Sequence, residues 1–175
     1  MNKLFYTLIG IFLISCQAPK EKKSEQSNEP TIIGYEFNDK GEKLNLIAGD
    51  ASVTNIYLEY IQAHNDKDLS KISEIDMDNI VVRAANGALI NGSDSHAEQL
   101  DIWFNTSNPF WKVKFMVANN VQGNDGKNQA WLTTGVDVVQ SIDGNNVTSH
   151  NIVDVNFVDG KVKELIVYDR ASEQE

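Results

Sequence analysis

A histidine held between two carboxylates can take up a proton, pass it on, or steady a cationic ligand, and Asp137, His150 and Asp169 are spaced to form such a row. Two Asp-Gly pairs, Asp143-Gly144 and Asp159-Gly160, interrupt alternating apolar runs, as two-residue hairpin turns do. Read that way, they set Asp137 opposite His150, Thr133 opposite Asp154, and His150 opposite Asp169 on three adjacent strands. One face is then apolar, with Leu132, Val153, Val155, Phe157, Val162 and Ile166; the row crosses the other, mixed face. The plain alternative is a solvated cross-strand charge cluster, and a three-residue loop at the first turn would exchange the faces.

Aromatic residues supply the candidate walls of a pocket. Tyr57, Tyr60, Trp103, Trp111, Phe115 and Trp131 are the expected lining, with Asp154 as a polar member, although core packing accounts for most of them equally well. His64 ends an apolar stripe and His96 opens a helix, so both read as structural. The three histidines are scattered and one cysteine is present, which predicts no metal site. A calcium loop starting at Asp66 would put Lys71 where glycine is needed and Met77 where glutamate is needed. No glycine-rich phosphate loop and no Gly-x-Ser-x-Gly elbow occurs, so no cofactor is expected.

These side chains need elements to position them. Val53, Ile56, Tyr57, Tyr60, Ile61 and His64 share one helical face, with Asp50 or Ser52 as its cap. A short helix is predicted over Leu69 to Ile75, then a strand in NIVVRAA. Ser95 and Glu98 read as a capping box for a helix burying Ala97, Leu100, Trp103 and Phe104, stopped before Pro109. Beyond it, Trp111, Val113, Phe115 and Val117 alternate with lysines as a half-buried strand, and three more strands follow. Helices first and an antiparallel meander after them predict an α+β domain over residues 50–171. Residues 32–49, two apolar stretches around Asn38-Asp39-Lys40-Gly41, read as a small hairpin or a lead-in segment.

The chain start carries an address. Lys3, then eleven apolar-rich residues from Leu4 to Ile14, then Ser15 and Cys16 have the three-part layout of a secretory signal. As a helix that run would span about 16 Å against roughly 30 Å of hydrocarbon, too short to cross. Leu13-Ile14-Ser15-Cys16 resembles the lipobox of bacterial lipoproteins, which implies removal of residues 1–15 and acylation of Cys16; an ordinary cleaved signal is the plainer alternative. Residues 16–31, without a large apolar side chain after the cysteine, read as a disordered tether with a reach of about 20 Å. The expected location is the bacterial cell envelope, with the lipid bilayer as partner. With 25 acidic against 15 basic residues the chain is acidic, and its two arginines, Arg83 and Arg170, argue against nucleic acid as a partner.

Three phrases in order carry a family likeness. YIQAHNDKDLSKI, ALINGSDSHAEQLDIWF and NFVDGKVKELIVYD resemble the first helix and turn, the third helix, and the last hairpin of the SnoaL-like branch of the nuclear transport factor 2-like superfamily. The likeness covers about 120 of 175 residues. It implies a curved antiparallel sheet wrapped around N-terminal helices, a cystatin-like cone. The superfamily includes isomerases, dehydratases, cyclases and epoxide hydrolases beside members that only bind or dimerise, so fold does not decide chemistry. No catalytic set carries over residue by residue. The expectation is a lipid-anchored binder of an unknown small molecule, with a homodimer through the uncovered sheet face; the alternative is an isomerase, dehydratase or cyclase working through a His-Asp pair in the cone.

Overall fold

The computed structural model describes residues 30–122 and 128–170. The signal, Cys16 and nearly all of the tether lie outside the described residues. Ile32–Phe37 (β1) and Lys43–Ala48 (β2) pair as a hairpin, so the lead-in segment belongs to the sheet. Helix α1, Ser52–Asp66, turns its stripe of Val53, Tyr57, Tyr60 and Ile61 inward, and His64 is buried with them. Asp50 caps neither end directly but accepts the Ser52 backbone N–H at 2.8 Å. Helix α2, Leu69–Ile75, is capped by the Asp68 side chain, which accepts from the Lys71 N–H. Strand β3, Asp76–Arg83, and the short β4, Leu89–Asn91, lead to helix α3, Ser93–Ser107. The expected capping box is not used: the N-cap is Gly92 at φ 91°, and Ser95 already lies inside the first turn. Four long strands complete the chain: β5 (Phe110–Gln122), β6 (Asn128–Ile142), β7 (Asn145–Val158) and β8 (Lys161–Arg170).

All eight strands form one sheet in the order β1-β2-β5-β6-β7-β8-β3-β4. The sheet is mixed, because β3 returns from the helices to run parallel with β8. Its inner face packs on the helices through Leu132, Val136, Val155 and Val162, all at most 1% exposed, against Tyr60 and Ile72. Apolar area removed from water here is the main stabilising term, since the described residues contain no disulfide.

Two irregularities decide which side chains face inward. In β5 a bulge between Val113 and Phe115 inserts Lys114, so Trp111 and Val113 face the helices while Phe115 and Val117 stand about half exposed on the outer face. Gly135 makes room for Phe115: a Cβ built there would sit 2.3 Å from its ring. Gly135→Ala is therefore expected to push the ring aside and cost about 1 kcal/mol, read as a lowered urea midpoint. The second irregularity separates Asn156 from Phe157 in the β7–β8 pairing, where Glu164 and Val162 are their partners and Lys163 is the extra residue. A slip of one residue reverses the faces of everything beyond it on β8.

Candidate functional site

Between the helices and the inner sheet face lies a cavity of about 510 Å³. Tyr57, Tyr60, Trp103 and Trp111 line it. Phe115, Trp131 and Asp154 do not; the β5 bulge takes Phe115 outside, Trp131 shares the outer alternation of β6, and Asp154 accepts the Thr133 hydroxyl at 2.7 Å. The first hairpin register is as expected, with Asp137 opposite His150 and the His150 Nδ1 at 2.7 Å from Asp137 Oδ1. That pair lies on the outer face, with the His150 side chain 43% exposed and Lys114 also bonded to Asp137 at 3.1 Å. The hydrogen bond from His150, then that from Lys114, holds the Asp137 carboxyl below its usual range. The expected His150–Asp169 contact is overturned, since His150 faces Arg170 and Asp169 faces Asn151. Asp169 thereby turns into the cavity, at the end of a chain in which Ser149 Oγ donates to Asn151 and Asn151 Nδ2 reaches Asp169 Oδ1 at 3.4 Å.

Two polar residues of the lining, His64 and His96, read as structural in the sequence. Asp76, fully buried at the junction of α2 and β3, accepts the Tyr60 hydroxyl on Oδ1 and the His96 ring on Oδ2, each at 2.7 Å. Burial and the neighbouring Asp76 push the Tyr60 phenol well above its ordinary range, so it stays a donor. His64, one turn along α1 from Tyr60, bonds the Tyr60 carbonyl through Nδ1 at 2.8 Å. Burial pushes the His64 ring down to about 3, with that carbonyl opposing and His96 and Lys67 adding to the fall. His64 and His96 both line the cavity, with ring centres 6.1 Å apart. Each stands on a helical apolar stripe, with Tyr57, Tyr60 and Ile61 on α1 or with Leu100 and Phe104 on α3; that placement is the one sequence signal that aims them inward.

The aromatic wall is fixed from both sides. Asn65 clamps Trp111, donating to its carbonyl at 3.0 Å and accepting its N–H at 2.7 Å, which sets the indole edge-on to His64 with centres 5.2 Å apart. Lys67, left-handed at φ 60° where α1 ends, bonds the Pro109 carbonyl and lies over the Phe104 ring. Trp103 packs edge-on to Trp111 and donates its Nε1–H to Gln140 Oε1 at 2.8 Å, fixing which way that amide points. Such a site can enclose a small apolar body and bond a polar group at its floor. Among the described residues no group of three or more His, Cys, Asp or Glu is placed to hold a metal ion.

No protein-family model matches the sequence, and no curated protein sequence matches it. Solved structures do resemble it. An LEH-like epoxide hydrolase from M. tuberculosis superposes with a TM-score of 0.56 at 15% identity, over 69% of this chain and 84% of that one. The epoxide hydrolase/cyclase-like enzyme SalBIII, of pyran ring formation in salinomycin, gives 0.57 at 16% identity, over 68% and 91%. A cystatin-like-fold protein of unknown function from Methylobium petroleophilum PM1 gives 0.54 at 14% identity, over 73% and 82%. Likeness at such identities concerns the fold, and with a curved eight-stranded sheet closed by three helices the chain is an α+β cone of the cystatin-like, nuclear transport factor 2-like kind.

Proposed function

We propose that this protein is an envelope lipoprotein, acylated at Cys16, whose cone binds a small, largely apolar molecule. The observation that carries the binding reading is the cavity of about 510 Å³, walled by Trp103, Trp111, Tyr57 and Leu100 around a buried polar floor. A pocket of that size suits a compact metabolite, and apolar walls supply most of its affinity while a few polar groups orient it. In a thermal-shift screen of small metabolites, a true ligand at a hundred times its Kd adds about 2.7 kcal/mol, a rise of several degrees in Tm. Absence of any hit, with Trp103 and Trp111 fluorescence unmoved, defeats the reading. The anchor is tested by labelling cells with palmitate: the native chain takes up label and Cys16→Ser does not.

The buried Asp76–His96 pair favours a second reading, an isomerase, dehydratase or cyclase. In this reading His96, lining the cavity, serves as acid and base with Asp76 orienting it, the role expected of His150 with Asp137 or Asp169. The relatives in fold named as epoxide hydrolases and a cyclase-like enzyme support such chemistry only by analogy. Turnover retained by His96→Gln would remove this reading and leave binding standing.

A further inference from the structure

We infer that the cavity takes a neutral molecule through a hydroxyl group, because its floor offers two imidazole acceptors that no protein donor among the described residues reaches, while the Tyr57 hydroxyl and the Trp111 indole N–H on its walls are open donors. The inference rests on the binding reading and narrows it to a ligand class. His64 Nδ1 meets the Tyr60 carbonyl, which only accepts, so in the neutral ring the proton sits on Nδ1 and Nε2 keeps its lone pair. His96 Nδ1 meets the Asp76 carboxylate, so a neutral His96 ring holds the same tautomer. The remaining donor of this group, the Tyr60 hydroxyl, is committed to Asp76 Oδ1. Among the described residues neither Nε2 has a protein partner, and neither is a sealed, unsatisfied atom, a condition that belongs there to Ser93 Oγ. Both Nε2 atoms are therefore open to whatever occupies the cavity.

The sign of the floor selects the ligand. An ether or ketone oxygen can accept from the wall donors but has no hydrogen to give either imidazole, and so leaves both Nε2 atoms without a partner. A carboxylate meets the same lone pairs and, in addition, the negative charge of Asp76 bonded behind His96 and of Asp169 exposed at the rim. A hydroxyl donates to one of the two rings, so neither it nor that Nε2 lacks a partner, while the aromatic walls hold the hydrocarbon body. The amides of Asn86 and Gln99 do not alter this, because both residues are exposed and line the mouth.

The test is titration calorimetry of the full chain in detergent at pH 8, against detergent-only blanks, with 2-naphthol, 2-methoxynaphthalene and 2-naphthoate as probes. The expected result is 2-naphthol binding about tenfold tighter than the methyl ether, the worth of one buried hydrogen bond, with no detectable binding of the acid. His96→Phe and His64→Phe, each folded by circular dichroism, are both expected to reduce the ratio of naphthol to ether affinity toward one. Equal affinity for naphthol and ether, or a preference for the acid, overturns this inference and leaves cavity binding intact. Failure of all three to bind overturns both, and a preference that survives both substitutions overturns the assignment to these rings.

Discussion

Replacing Asp76 with alanine is expected to destabilise the fold by about 3–5 kcal/mol, the usual cost of stripping one member from a buried ion pair or hydrogen-bonded cluster. The carboxylate is fully buried, and it serves two donors from two helices, Tyr60 of α1 and His96 of α3. Its removal leaves a phenol and an imidazole N–H with no partner in apolar surroundings, and the space it vacates is at a junction of three elements. Its own carbonyl also accepts from Lys161 at 3.3 Å, which ties β8 to the same point. Urea denaturation measures the loss, and the matching fall in Tm is on the order of 10 °C. A change under 1 kcal/mol would mean the cluster is not held as described.

Asp76→Asn separates packing from polarity. The amide keeps the shape and one acceptor, so Tyr60 retains its bond, and His96 can accept the new N–H by moving its proton to Nε2. The stability cost is then smaller, about 1–3 kcal/mol. The cavity floor, however, changes sign at His96, and the ether probe gains on the hydroxyl.

How far the sequence reveals this site depends on the distance over which its signals act. The stripe on α1 and the two Asp-Gly turns are local patterns, and each predicts its element and, for β6–β7, the register down to Asp137 opposite His150. Registers beyond a bulge are a different matter. Lys163 and Lys114 are each one extra residue in an otherwise regular alternation, nothing about lysine marks them, and each reverses the faces that follow. That is why Asp169 reaches the cavity and Phe115 leaves it. The Tyr60–Asp76–His96 cluster was out of reach for another reason: its members are 16 and 20 residues apart, on two helices and a strand start, and no periodicity links them. Only an acid set among Ile72, Ile75 and Ile80, and histidines on apolar stripes, hinted that polar groups were being taken inside.

Acid is expected to weaken this fold well before its carboxylates are titrated, and His64 is the group responsible. Its ring is buried and stays neutral in the folded chain down to about pH 3, whereas in the unfolded chain it protonates below its ordinary 6.5. Within that window the unfolded state binds the extra proton. The stabilising effect of the neutral ring is complete above pH 6.5 and declines as pH falls, by on the order of 1 kcal/mol per unit. Asp137 adds a loss of the same sign, but only below its ordinary 3.8, at the acid end of the His64 window. His64→Phe retains an aromatic ring against Tyr60 and Trp111, whose ring centres lie 4.5 and 5.2 Å from that of the histidine, and it has nothing to titrate. The Tyr60 carbonyl is not orphaned by the change, because the helix supplies it with the backbone N–H of residue 64. Urea midpoints at pH 7.5 and 5 should therefore diverge for the native chain and draw together for the variant. Parallel slopes would place the acid sensitivity elsewhere and return His64 to the ordinary histidines.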